Sequence, residues 1–81
     1  MTNEEKIEAL KEIADWNGWN FRDDYSGRGM YGSMCAAISG DSATNIIEAA
    51  AERGIKGASQ DSMGLGAVVY WQGIKTNAVN A

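Results

Sequence analysis

Tyr25, Arg28, Met30 and Tyr31 stand in one glycine-punctuated run, Tyr25-Ser26-Gly27-Arg28-Gly29-Met30-Tyr31-Gly32. The chemistry these residue types offer is recognition rather than bond-making. A guanidinium supplies a forked cation, tyrosines supply rigid amphipathic area, and methionine supplies an adaptable apolar contact. Such side chains are enriched at protein interfaces. The glycines allow tight turns and close backbone approach, so the run is expected to be a shaped, solvent-facing loop. A second expected loop, Asp61-Ser62-Met63-Gly64-Leu65-Gly66, adds Asp61 and Met63, and it lies beside the first if the flanking strands pair. The contact surface predicted from sequence is therefore Tyr25, Arg28, Met30, Tyr31, Asp61 and Met63. A purely structural use of the same run has Met30 and Tyr31 packing beneath the following strand and Arg28 paired with Asp23 or Asp24.

Catalytic machinery is sparse. The chain has no histidine and a single cysteine, Cys35, so Ser–His and Cys–His nucleophile pairs, histidine-containing zinc sites and paired-cysteine zinc sites are all excluded. The adjacent acids Asp23 and Asp24 lack the regularly spaced oxygen ligands of a calcium loop. Cys35 falls in a predicted buried strand with no histidine to activate it, and reads as a small hydrophobe. The glycine run lacks both a preceding strand and the Gly-Lys-Ser/Thr ending of a nucleoside triphosphate cradle. The expectation is a non-enzyme without metal or cofactor.

The elements that must position these residues are partly legible. Thr2-Asn3-Glu4-Glu5 has the pattern of a capping box. Ile7, Leu10, Ile13 and Ala14, with Trp16 added, recur at helical spacing, and Gly18 ends the helix as a left-handed cap. A second helix is expected from Asp41 or Ser42 as N-cap to Arg53, stopped by Gly54, with Ile55 folding back onto Ala50. Its alanines suit close approach to a sheet. Ser33–Ser39 reads as a strand buried on both faces, and residues 66–71 as a central strand closed by Gly73. Gly57–Asp61 is the expected hairpin partner of that strand across the turn Ser62-Met63-Gly64-Leu65. Trp19 and Phe21 alternate as in an edge strand.

The predicted fold is α+β: a small antiparallel or mixed sheet of three to four strands carrying two helices. Residues 1–74 form the compact domain and residues 75–81 a fraying tail. The sequence carries no internal repeat.

Residues 1–24 hold seven acids against three bases, while the remainder of the chain is neutral. With no basic cluster, direct nucleic-acid binding is not expected, because that affinity rests on several cations releasing counterions from phosphates. The acidic first helix suits a basic protein surface, or simply a solvated one. No apolar run is long enough to span a bilayer, and no cationic, apolar leader is present, so a cytoplasmic location is expected.

Asp24-Tyr25-Ser26-Gly27-Arg28-Gly29-Met30-Tyr31-Gly32 followed by Cys35, together with Asp61-Ser62-Met63-Gly64 before Val68-Val69-Tyr70-Trp71, resembles small proteins encoded by bacterial viruses. The likeness covers most of residues 19–72. Small, acidic, histidine-free domains of this sort are similar to anti-CRISPR inhibitors, and the resemblance implies an accessory protein that blocks or modulates a host protein complex. Two other uses of the same residues stay open. One is a nucleotide or anion site built from Arg28 and the tyrosines, completed in a homo-oligomer. The other is a self-associating assembly component.

Overall fold

The computed structural model describes residues 2–25, 35–63 and 66–75. Among them the chain forms an α+β fold of two helices and a four-stranded antiparallel sheet. Helix α1 spans Asn3–Asn17, strand β1 Asn20–Tyr25, strand β2 Cys35–Ser39, helix α2 Ala43–Glu52, strand β3 Ser59–Met63 and strand β4 Gly66–Lys75. The strand order is β1-β2-β4-β3. The path helix–strand–strand is thus traversed twice, with β2 and β4 meeting antiparallel at the centre and β1 and β3 at the edges. This repeat lies in the topology; the residues of the two halves do not share it.

Helix α1 starts where the capping box requires. The Glu5 amide donates to Thr2 Oγ1 at 3.1 Å and the Thr2 amide donates to Glu5 Oε1 at 2.8 Å, which satisfies two of the free donors of the first turn. Gly18 closes the helix in the left-handed region at φ 70°, where a side chain is disfavoured. For α2 the N-cap is Ser42, whose Oγ accepts from the Asn45 amide. Asp41 contributes as well: it accepts from the Ser42 amide, from Asn45 Nδ2 at 3.0 Å and from Trp19 Nε1 at 3.1 Å. These hydrogen bonds, the Ser42 amide foremost, hold the Asp41 carboxyl below its ordinary pKa. After Arg53 the Ile55 amide returns to the Ala50 carbonyl at 2.9 Å, and Ile55 is buried, as the fold-back reading requires.

Both helices lie on one face of the sheet. Leu10, Ile13, Ile46, Ala50 and Ile55 join Ala36, Ile38, Val69 and Trp71 in one apolar cluster, with Trp19 and Phe21 packed against it. Alternation along β2 and β4 sends Cys35, Ala37, Val68 and Tyr70 to the opposite face, where Tyr25 joins them. Four of the five β2 residues are buried, as expected for a strand covered on both sides. The Trp71 indole N–H is buried without a hydrogen-bond partner among the described residues, and Trp71 is the largest of the fully buried side chains there.

Four sequence expectations about these elements need correction. Trp16 does not belong to the apolar stripe: it is 88% exposed. At 3.6 residues per turn it lies roughly 120° around the helix from Leu10, on the side of Glu5 and Glu12, and in the last turn of α1. Strand β3 runs Ser59–Met63 rather than 57–61, because Gly57 takes φ 84°, outside the extended region. Met63 pairs with Gly66, so the reversal is shorter than the four-residue turn expected from sequence. Strand β4 does not close at Gly73 but continues to Lys75, which pairs with Cys35 across a register shift.

Candidate functional site

The last residue of β1 is Tyr25, the first member of the glycine run, and the run itself connects it to β2; the expectation that no strand precedes the run is thereby corrected, while the Gly-Lys-Ser/Thr ending is still missing from the sequence. Residues 26–34 lie outside the described residues, so the placement of Arg28, Met30 and Tyr31 does too. What the structure describes is the base from which the run departs. Tyr25 is 8% exposed and its hydroxyl donates to Asp61 Oδ2 at 2.7 Å, in a buried contact. Asp61 is 6% exposed. Its expected loop position is thereby corrected: it lies within β3 opposite Val68, and the phenol supplies the hydrogen bond that a buried carboxylate requires. Met63, at the end of β3, is described through its backbone pairing with Gly66.

Tyr25 and Asp61 stand on opposite edges of the sheet. In a flat sheet three strand spacings separate the edges by roughly 14 Å, too far for two side chains standing perpendicular to it. The strands must therefore bend toward one another over this face. Register shifts between Arg22 and Tyr25 in β1 and between Cys35 and Ala36 in β2 provide the irregularity, since bulges bend strands and sharpen their twist. The phenol passes over Tyr70 on the way, with ring centroids 5.5 Å apart and planes tilted by 38°. The Arg22 guanidinium carbon lies 5.9 Å from the Tyr25 ring centroid, and Arg22 Nε pairs with Asp24 Oδ1 at 3.1 Å.

Burial, the Asp61 hydrogen bond and the adjacent carboxylate charge push the Tyr25 phenol from 10.0 up to about 12, so it is a neutral donor at physiological pH. The Cys35 thiol donates to the Tyr25 carbonyl at 3.3 Å, and burial pushes its pKa up as well. A thiol raised in this way is a poor nucleophile. Asp24 finds its described partner in Arg22, and among the described residues no three His, Cys, Asp or Glu side chains gather as for a metal. No helix among them is long and apolar enough to cross a membrane.

A second surface runs along the seam of the two helices; its acidic helix face was expected from sequence, whereas the groove it forms with α2 and the place of Trp16 in it were not. Arg53 at the end of α2 pairs with Glu12 of α1 at 3.1 Å. This bridge divides a shallow groove into a recess of about 460 Å³ walled by Glu4, Glu5, Glu8 and Glu12 and one of about 200 Å³ floored by Ile13 and Ala49 and flanked by Trp16 and Glu52. The acids were visible as a charged helix face. That Trp16 belongs with them, and not with Leu10, was available from the helical angle.

No protein-family model, curated protein or solved structure matches this chain.

Proposed function

We propose that this chain is a non-catalytic binding protein that occupies a surface of a host protein complex and blocks or modulates it, as anti-defence accessory proteins of bacterial viruses do. The observation that carries this reading is the buried Tyr25–Asp61 bond. It fixes Tyr25, the residue from which the glycine run with its recognition side-chain types departs. The likeness of residues 24–32 and 61–64 to small viral proteins supports the host as the source of the partner.

The test is capture from a bacterial lysate by immobilised wild-type protein and by the Arg28→Ala/Tyr31→Ala variant. Tyr25 is left intact, because its loss would disturb the sheet as well as the contact. The expected result is a host protein retained by the wild type and reduced about tenfold or more by the variant, the size expected when interface anchors are truncated. Identical partner sets for the two proteins would contradict a role for the run. Stabilisation by nucleotides in a thermal-shift panel would favour a small-ligand site instead.

A further inference from the structure

Among the described residues Trp16 is the large apolar side chain that the fold leaves in solvent, and it stands at one end of the seam between α1 and α2. From it the groove runs back along α1, over Ile13 and Ala9 and past the Arg53–Glu12 bridge. Glu5, Glu8 and Glu12 precede Trp16 at intervals of three or four residues, so carboxylates and indole follow one stripe of the helix. From Glu5 to Trp16 the stripe is about 16 Å long at 1.5 Å per residue. Glu4 and Glu52 add charge to the walls; against these acids stand Arg53, which Glu12 engages, and Lys11, 3.9 Å from Glu8, so the carboxylates still outnumber the cations. The groove is thus apolar along its floor, strongly negative along its walls, and ends at a tryptophan face.

We propose that this groove receives a lysine- and arginine-rich segment of a partner protein, carrying a large apolar residue that packs against Trp16. The cations complement the carboxylate stripe, and one placed over the indole gains a cation–π contact. Rim charges mainly speed and orient encounter, whereas the desolvated aromatic supplies the affinity. An acidic or neutral segment would leave the carboxylates desolvated and unmatched. The inference rests on the binding reading above but concerns a different surface from the glycine run.

The probe is a fluorescent synthetic peptide of about twelve residues alternating lysine or arginine with leucine, long enough to run the stripe as a helix, titrated by anisotropy. The control peptide has glutamate at every cationic position. Saturable binding of the basic peptide is expected, with none of the acidic one. Trp16→Ala should weaken it about tenfold or more, Trp16→Phe should restore most of the affinity, and Glu8→Gln/Glu52→Gln should weaken it about two- to fivefold. Raising the salt should weaken it further. Because Trp16 is exposed, circular dichroism of Trp16→Ala should match the wild type.

Equal binding by wild type and Trp16→Ala, equal binding of the acidic peptide, or dimerisation of the wild type that Trp16→Ala abolishes would each overturn the proposal, the last by assigning the groove to a second copy of the chain. Host-protein capture that survives Trp16→Ala but is lost with Arg28→Ala/Tyr31→Ala would overturn it too, while leaving the binding reading intact. Loss of capture with Trp16→Ala alone, together with peptide binding, would support it.

Discussion

The face of the sheet holding Tyr25 and Asp61 and the seam between the helices depart from ordinary burial in opposite ways. On the sheet face a carboxylate is taken out of water and given a phenol hydroxyl at 2.7 Å; at the seam an indole is left 88% in water among glutamates. A buried polar group that is fully paired is an internal fastening, because removing either partner leaves the other stranded. An exposed tryptophan contributes little to the fold, and its apolar area is available to another molecule. Two rule-breaking sites in one small chain thus have different meanings: one holds the sheet edges together, and the other is surface the fold does not use.

The largest expected contrast comes from Tyr25→Phe. It removes one hydroxyl, keeps the ring over Tyr70, and leaves the Asp61 carboxylate buried without its donor. Urea unfolding should show a loss of about 1–3 kcal/mol, the size expected when a buried acceptor loses its donor. A loss under about 0.5 kcal/mol, the size of an ordinary surface change, would mean that the bond fastens nothing.

The same pair has a pH signature. The phenol is held protonated up to about 12 in the folded chain against 10.0 ordinarily, so the folded state binds the proton more tightly than the unfolded state does. Its contribution is fully present below pH 10 and falls as pH rises toward 12. Wild-type stability should therefore decline through that window more steeply than that of Tyr25→Phe, in thermal melts at fixed ionic strength. Parallel curves would remove Tyr25 from the alkaline transition.

Much of the frame could be read directly from residues. Thr2 and Glu5, Gly18, Ser42 and Ile55 sit where local rules put them, because caps and fold-backs depend on a few consecutive residues. The alternation of Met34, Ala36 and Ile38 against Cys35 and Ala37 likewise revealed a strand covered on both sides, and the described part of that strand begins at Cys35. The Tyr25–Asp61 bond was not legible. The two residues are 36 apart, and their meeting depends on strand order and on bulges that no local pattern encodes. Ser59-Gln60-Asp61 could be read as an extended hairpin partner, but nothing local shows that Asp61 is buried or that a tyrosine from the far edge supplies its carboxylate with a partner. Trp16 was misplaced for another reason: size and hydrophobicity drew it into the stripe, whereas the angle around α1 put it with Glu5 and Glu12.

The smallest expected effect on stability is also the most direct test of the contrast. Trp16→Ala, measured in parallel by urea unfolding and by titration with the basic peptide, should change stability by no more than about 0.5 kcal/mol while weakening binding about tenfold or more. A loss of stability well above 1 kcal/mol with binding unchanged would contradict the account, because Trp16 would then serve the fold and the seam would offer nothing to a partner.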